Sequence, residues 1–395
     1  MMFVVRRLQE MGRGGRIPLF LCFIDLQKAY DSVDRALLWK VLQRIGVPPR
    51  MLTIIRQFHE GMRACVRSNS GNCSEWFEVG QGLRQGCVLS PLLFNIFFAA
   101  VLTVILQRFA SNELILSNLV HLEETRPRMG PEPALAHVRR AVWGMLYADD
   151  AGVVSRSPKG LAEMMHVVVK VCGAFGLTVS EKKTETMCMP PPRTSTATVE
   201  VEAAGQRYRQ TDSFVYLGGT VTEAPGVSAE IRRRIRACWA NIKKYSTQLY
   251  DRPTAAITLK TRMAKAEAIE ALLYGSVTWT LRQDDYNQLR TTHHRILLRI
   301  LGEARSVRAD HRTRSYASAL QRTACESIER TIRKRRLLFA GALTRMSVER
   351  LPKHCLLSGR LEGAEKRGPG GREKVWLTEV ERDVKAFSIT GDWQQ

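Results

Sequence analysis

The chain has 395 residues, of which 45% are hydrophobic, 25% charged and 7% aromatic, a composition typical of a globular protein with two or three domains. Its formal net charge of +22 and isoelectric point near 10.0 favour nucleic acid as a partner over an anionic membrane surface or mere solubility. Nine cysteines are scattered without the spacing of a zinc site or redox motif, so no structural zinc is implied and reduced thiols are indicated.

The first half of the chain mixes predicted strands and helices. The apolar run Leu-Phe-Leu-Cys-Phe-Ile at residues 19–24 predicts a strand that is covered on both faces. The other predicted elements are, in chain order, a helix over 4–11 with a Gly-rich turn after it, helices stopped by Gly46 and Gly61, a hairpin over 62–79, a loop over 81–90, an apolar helix from Pro91, an irregular insertion over 110–137, a strand-turn-strand over 142–154, a helix over 160–175 and short strands near 177–189, 199–203 and 213–220.

The second half is predicted to be helical and basic. Helices are expected near residues 229–249, 257–273, 284–301 and 327–346. Residues 230–350 contain 26 Lys and Arg against 11 Asp and Glu, so this stretch carries most of the excess charge. A Gly-rich linker near 359–372 and a short helix near 373–386 complete the pattern.

The apolar segments are too short to predict a membrane span. The longest, residues 92–106, has fewer than the ~18 residues that a spanning helix needs, so we expect a buried core helix there. No secretion signal is recognisable. We therefore expect a protein that is not secreted and has no transmembrane segment or membrane partner; nucleus and cytoplasm both remain open, as does the oligomeric state.

Two aspartate signatures carry the clearest chemistry. Phe23-Ile24-Asp25-Leu26 ends the first predicted strand, and Tyr147-Ala148-Asp149-Asp150 occupies the turn of a predicted strand-turn-strand. Carboxylates at strand ends in a sheet core are costly to keep charged unless a cation compensates them. Mg²⁺ prefers oxygen ligands, and two such ions about 4 Å apart can activate a 3′ hydroxyl and stabilise a leaving pyrophosphate. Taken alone, each signature could instead be a polar turn or a helix cap.

Further motifs occur in a particular order around these aspartates. Tyr30 follows Asp25, the loop Gln-Gly-Leu-Arg-Gln-Gly-Cys-Val-Leu-Ser-Pro occupies residues 81–91, Lys-Lys-Thr lies at 182–184 and Tyr-Leu-Gly-Gly at 216–219. With this set, residues 16–300 resemble the reverse transcriptase (RNA-directed DNA polymerase) of non-LTR, LINE-type retrotransposons.

The resemblance implies a metal-binding site. It assigns catalysis and binding of Mg²⁺, with Mn²⁺ as an alternative, to Asp25, Asp149 and Asp150, together with the main-chain carbonyl of Leu26. It also implies that Lys183 lies near the leaving pyrophosphate, although Lys182 fits the motif equally well and a solvated lysine is the simpler alternative.

The resemblance also implies nucleotide and primer contacts. Tyr30 matches the steric gate against the sugar 2′ position, and Gln85 and Gly86 match the loop beside the incoming nucleotide. Tyr216, Leu217 and Gly218 match the primer grip. For both Tyr30 and Tyr216, a core aromatic is the simpler alternative.

By position, the basic helices match a thumb that tracks nucleic acid through phosphate contacts. We expect Arg232, Arg233 and Arg236 to make such contacts; a solvated basic face is the alternative. The expected partners are an RNA template, a DNA primer and deoxynucleoside triphosphates.

The family resemblance also predicts the architecture. We expect an α+β palm, with an antiparallel sheet packed on helices and partial fingers, over residues 1–225. An all-helical basic thumb is expected over 226–305 and a basic helical C-terminal region over 306–395. Only 24 residues precede Asp25, where the family has its fingers, so we expect an N-terminally truncated fragment. The alternative function is therefore a catalytically inactive relic that retains nucleic-acid binding.

Overall fold

The computed structural model describes residues 1–123, 132–147, 150–194, 200–303, 314–365 and 375–389. The chain divides into two compact units. The sheet unit comprises residues 12–211 and 360–364, and the helical unit comprises residues 1–11, 212–359 and 365–395. The helical unit thus begins ahead of the predicted boundary at residue 225, and the three-part division of the chain stays a prediction.

Strands and helices are mixed along the chain up to residue 211. In chain order the elements are α1 Met2–Gly15, β1 Leu19–Ile24, α2 Arg35–Arg44, α3 Pro49–Gln57, β2 Arg63–Ala64, β3 Phe77–Glu78, α4 Ser90–Ala110, α5 Glu113–Ser117, α6 Ala134–Arg140, β4 Gly144–Tyr147, β5 Asp150–Ser155, α7 Pro158–Ala174, β6 Glu185–Met189, β7 Val201–Ala203 and β8 Gln206–Gln210.

The sheet unit is built around a six-stranded sheet with the strand order β4-β5-β1-β6-β8-β7. Strand β1 lies inside it, antiparallel to β5 with Ile24 opposite Ala151, and antiparallel to β6 with Phe23 opposite Glu185. The predicted α+β fold is confirmed. The sheet is antiparallel except for the β6–β8 pair, which is parallel and which local sequence patterns did not predict.

The apolar run of β1 is buried because the sheet and its covering helices enclose it. Helix α4 contributes Leu93, Phe97 and Val101 to the same core cluster as Cys22 of β1. By length and composition α4 is the one helix of the described part of the chain that could cross a membrane. The buried core helix of a folded domain passes the same test, and α4 has residues in the core along its whole length.

The rest of the described chain is mainly helical. Its elements are β9 Ser213–Tyr216, β10 Gly219–Thr222, α8 Ser228–Lys244, a π-helical turn Ser246–Tyr250, α9 Ile257–Met263, a π-helical segment Ala264–Ile269, α10 Glu270–Leu272, a 3₁₀ turn Ser276–Thr278, α11 Gln283–Ile300, α12 Tyr316–Thr323, α13 Ile328–Thr344, α14 Leu351–Leu357 and α15 Trp376–Ala386. A separate core that includes Trp279, Leu289 and Ile296 holds much of this unit together.

Two local predictions were wrong. The Gly-rich turn expected after residue 11 is instead the last part of helix α1. A Cβ atom on Gly12 would lie 2.9 Å from the Ile17 carbonyl oxygen. Glycine is needed there for close chain approach, not for a turn. The insertion expected to be irregular contains the short helices α5 and α6, although residues 124–131 lie outside the described part.

Candidate active site

Asp25 directly follows β1, and the segment that contains Ser180 and Thr184 forms hydrogen bonds with its backbone. The Ser180 amide donates to the Asp25 carbonyl at 2.8 Å, and the Asp25 amide donates to Thr184 Oγ1 at 3.2 Å. On the other side, β5 runs antiparallel to β1, and Asp25 and Asp150 are the residues next beyond the last pair, Ile24 and Ala151. The two aspartates therefore lie at the same edge of the sheet, at adjacent strand ends.

The Asp25 carboxylate is suited to a cation. Its Oδ2 atom is buried and accepts no hydrogen bond, and its charged neighbour is Lys183, whose Nζ lies 3.4 Å away. A buried carboxylate oxygen without a hydrogen-bond donor is the kind of ligand that hard divalent cations prefer. Lys182, the other lysine that fits the motif, is exposed and forms no ion pair with a described residue.

Asp149 lies outside the described residues, and so does Ala148. The strands on either side, β4 and β5, pair antiparallel with Tyr147 opposite Asp150. Asp150 is exposed at the start of β5. Within the described ranges, which do not include Asp149, no group of three or more His, Cys, Asp and Glu could hold a metal ion.

Leu26 lies just beyond the end of β1, and its backbone forms one isolated antiparallel β-bridge with Val179. The hydrogen bonds of this bridge are made by neighbours, because Ser180 N donates to Asp25 O and Gln27 N donates to Thr178 O at 2.8 Å. The Leu26 carbonyl takes no part in them. It is therefore free of the bridge and can serve as an oxygen ligand, as the resemblance implies.

The loop at residues 81–91 docks on the segment that follows Asp25. A Cβ on Gly82 would lie 2.5 Å from the Asp31 carbonyl oxygen, and Gly82 has φ +79°, so only glycine fits. The Arg35 guanidinium donates to the Gly82 carbonyl at 2.7 Å and to the His59 carbonyl at 2.9 Å. Gln85 Nε2 donates to Asp31 Oδ1 at 2.9 Å, a contact that joins the loop to the Asp25 segment.

Gly86 and Tyr30 differ in their surroundings. Gly86 is exposed with φ +83° and has no atom within 4 Å of its Cβ position, so its conformation alone calls for glycine. Tyr30 is half-buried and stacks on Phe94 of α4, with ring centroids 4.6 Å apart. The Tyr30 ring is therefore held in a fixed orientation at the margin of the core, which serves either of its predicted roles.

The Tyr-Leu-Gly-Gly motif forms the tip of the β9–β10 hairpin in the helical unit. Leu217 (φ +48°) and Gly218 (φ +72°) form its two-residue turn, and Tyr216 is buried. The turn is anchored by α8 and by Tyr274. Arg233 Nη1 donates to the Gly218 carbonyl at 2.8 Å, and Tyr274 Oη donates to the Leu217 carbonyl at 2.9 Å.

Arg234 completes this anchor. Its guanidinium donates to the Gly218 carbonyl, lies 4.4 Å from the Tyr274 ring centroid and donates to buried Glu230 at 2.5 Å. Of the three arginines expected to contact nucleic acid, Arg233 thus already bonds to the hairpin. Arg232 and Arg236 are exposed and make no hydrogen bond or ion pair with any described residue.

Several supporting residues escaped the sequence reasoning. In the sequence, Thr184 stands out only as part of the Lys-Lys-Thr motif, and no motif contains Arg35 or Tyr274. Their partners are backbone groups that lie 159, 47 and 57 residues away along the chain. No local pattern identifies such contacts, because they arise only when distant segments meet.

Comparisons with known proteins agree with the motifs. A family model described as reverse transcriptase (RNA-dependent DNA polymerase) matches residues 18–221, more than half of the chain. A "Probable RNA-directed DNA polymerase from transposon BS" of Drosophila melanogaster is 24% identical over 278 residues, which are 70% of this chain and 28% of that protein. An RNA-directed DNA polymerase from mobile element jockey of Drosophila funebris is 35% identical over 79 residues, 20% of this chain and 8% of that protein.

These relatives confirm the predicted resemblance to retrotransposon polymerases, and the chain spans less than a third of the length of either one. Among solved structures, apo telomerase from Candida tropicalis aligns with a TM-score of 0.39 and 12% identity. That alignment covers 100% of this chain and 56% of the telomerase chain.

Proposed function

Because the chain belongs to the reverse transcriptase (RNA-dependent DNA polymerase) family, we propose that it is an RNA-directed DNA polymerase domain that adds deoxynucleotides to a primer. This proposal rests on one observation: at the end of β1, Asp25 forms an ion pair with Lys183 and lies next to the start of β5. A carboxylate, a lysine and a second carboxylate at adjacent strand ends suit a reaction between a hydroxyl and a triphosphate.

The reaction is a nucleotidyl transfer. The primer 3′ hydroxyl oxygen loses its proton to solvent water and attacks the α-phosphorus of a deoxynucleoside triphosphate, and the bond from that phosphorus to the bridging oxygen of the β-phosphate breaks to release pyrophosphate. Lys183, whose side chain is 72% exposed, can turn from Asp25 towards the leaving oxygen and donate a proton to it. Tyr30 would limit space at the sugar 2′ position, and Gln85 would position the incoming nucleotide.

A divalent cation is part of this proposal. Asp25, Asp149, Asp150 and the Leu26 carbonyl would hold it, since they supply the oxygen ligands that Mg²⁺ or Mn²⁺ prefers. When bound, such ions lower the pKa of the attacking hydroxyl and neutralise charge on the phosphates. The RNA template and DNA primer would be held by Tyr216, Leu217 and Gly218 and by the exposed arginines of α8.

Primer extension on an RNA template tests the proposal. We expect the purified chain to extend a DNA primer in the presence of Mg²⁺, and Asp25→Asn and Asp149→Asn each to reduce incorporation by at least about a hundredfold. Asp284→Asn, which changes an exposed aspartate at the start of α11, serves as the matched control and should leave incorporation unchanged.

Two results would contradict the proposal. Incorporation that survives Asp25→Asn would place the chemistry elsewhere. A wild-type chain that binds RNA in a salt-sensitive manner but adds no nucleotide would support the alternative function, a relic that retains only nucleic-acid binding.

A further inference from the structure

Two cysteines lie close together on the hairpin that begins with β2 and ends with β3. Cys65 directly follows β2, and Cys73 lies eight residues later. Between them the chain reverses in a turn, where the Gly71 amide donates to the Ser68 carbonyl at 3.0 Å. The hairpin therefore brings together two cysteines whose spacing in the sequence matches no redox motif.

The pairing of the hairpin places both cysteine side chains on one face. Arg67 and Cys73 form an antiparallel bridge, and the backbone amides of Ser68 and Ser74 donate across the hairpin on either side of it, at 2.8 and 2.9 Å. Arg67 and Cys73 are therefore a non-hydrogen-bonded pair, the kind whose side chains lie closer together. Because Cys65 precedes Arg67 by two residues, its side chain lies on the same face, diagonally adjacent to Cys73.

The two thiols are in contact and differ in their exposure to solvent. Cys65 and Cys73 share a side-chain hydrogen bond. Partial loss of hydration, together with the neighbouring Cys73, raises the pKa of Cys65, so Cys65 keeps its proton. Cys73 is the exposed member of the pair, whereas Cys65 is half-buried. An oxidant in solution therefore meets the Cys73 sulfur first and finds the Cys65 sulfur beside it.

Most of the other cysteines are unsuited to reaction with an oxidant. Burial raises the pKa of the Cys172, Cys238 and Cys355 thiols to about 12, so these thiols stay protonated and out of contact with solvent. Cys22 and Cys188 are buried as well. The hairpin pair instead combines a solvent-accessible sulfur with a second sulfur in contact, an arrangement that is frequent at redox-sensing cysteines.

We propose that Cys65 and Cys73 are a redox-active pair, which hydrogen peroxide converts to a reversible disulfide across the β2–β3 hairpin. The Cys73 sulfur attacks one peroxide oxygen, the O–O bond breaks, and the departing hydroxide takes up the proton released by Cys73 to form water. The Cys65 sulfur then attacks the sulfur of the resulting Cys73 sulfenic acid, whose hydroxyl group leaves with the Cys65 proton as a second water. The two thiols thus lose two electrons, and the peroxide is reduced to water.

Peptide mapping of the oxidised chain tests the proposal without polymerisation. The reduced full chain is treated with hydrogen peroxide at micromolar protein concentration, unfolded in N-ethylmaleimide to block the remaining thiols, and digested with trypsin. Cleavage after Arg63, Arg67 and Arg84 puts the two cysteines on separate peptides, 64–67 and 68–84. We expect these peptides to be joined, with the mass of two hydrogen atoms lost, and dithiothreitol to separate them again.

Two variants test the roles of the sulfurs. Cys65→Ser removes the second thiol, so the sulfenic acid at Cys73 should persist, and its labelling by dimedone should rise about tenfold over wild type. Cys325→Ser, at a half-buried position of the helical unit, is the matched control and should leave the yield of joined peptides unchanged.

Three results would overturn the proposal. Peptides 64–67 and 68–84 that remain separate after oxidation of the wild type would show that no disulfide forms. A disulfide found only in the dimer band of a non-reducing gel would join two chains and not one hairpin. Equal dimedone labelling of Cys73 in the wild type and in Cys65→Ser would show that Cys65 does not react with the sulfenic acid. Each result is independent of whether the chain extends a primer.

Discussion

Lys183 Nζ lies 3.4 Å from Asp25 Oδ2, and no other described lysine or arginine forms an ion pair with this carboxylate. The lysine side chain is 72% exposed and that of the aspartate 36%. Lys183 is solvated although the Asp25 Oδ2 atom itself is buried, and ion pairs with such an exposed partner contribute little to stability. The contact therefore holds Lys183 near the proposed reaction site, and the exposed lysine can exchange Asp25 for a phosphate at little cost.

Replacing Lys183 tests this relationship. We expect Lys183→Met to lower kcat for primer extension about a hundredfold, because a positioned proton donor contributes on that scale. The free energy of unfolding should change by less than about 0.5 kcal/mol, since the lysine is exposed. Steady-state kinetics with saturating primer–template measures the first quantity. Lys182→Met is the matched control, and an equal loss of kcat in both variants would contradict the assignment to Lys183.

Gly82→Ala should destabilise the fold through a steric clash. The new Cβ would lie 2.5 Å from the Asp31 carbonyl oxygen and would also force alanine into φ +79°. We expect a loss of about 2–5 kcal/mol in the free energy of unfolding, from strain and displacement together. Gly86→Ala, with φ +83° and open space around its Cβ position, should lose only about 1–2 kcal/mol. Urea denaturation compares the two, and equal losses would argue against the clash.

Tyr274→Phe should change the KM for primer–template more than it changes kcat. The variant keeps the ring under Arg234 but loses the hydrogen bond to the Leu217 carbonyl, so the turn at the proposed primer grip is held less firmly. We expect KM for primer–template to rise about two- to tenfold, with kcat within twofold of wild type. Tyr245→Phe removes a hydrogen bond to Glu267 in the same unit and serves as the control. A fall in kcat alone would count against this positioning role.

His293 should make stability depend on pH. Burial lowers the pKa of His293 to about 4, an effect that nearby Glu329 opposes only in part, and its Nδ1 lies 2.8 Å from Tyr316 Oη. Below about pH 6.5 the unfolded chain binds a proton at this position that the folded chain does not bind. Stability contributed by neutral His293 is therefore present above pH 6.5 and is lost as pH falls towards 4, by up to roughly 3 kcal/mol.

Urea denaturation at pH 7 and pH 4.5 checks this dependence. The difference in unfolding free energy between the two pH values should shrink in His293→Gln. His354→Gln, at a half-buried position of α14, controls for the loss of a histidine as such. An unchanged pH dependence in the first variant would show that His293 titrates normally in the folded chain.

Much of the fold follows from local pattern. The apolar run of β1 predicts a buried strand, and Gly46 and Pro48 lie between the end of α2 and the start of α3. The side chain of Asp34 caps α2 by accepting from Leu37 N at 3.0 Å. These features depend on neighbours in the chain, so the sequence contains the information that predicts them. The wrong predictions occur where packing outweighs propensity, as at Gly12 in α1.

By itself, the sequence determined the family, the order of its motifs and the aspartates that mark the strand ends, because residue type and spacing encode the chemistry of each motif. The tertiary structure alone decided that Lys183, not Lys182, pairs with Asp25 and that Arg234 and Tyr274 anchor the Leu217–Gly218 turn. Each of these contacts joins groups whose separation in space depends on how whole elements pack, and packing depends on every side chain in the core.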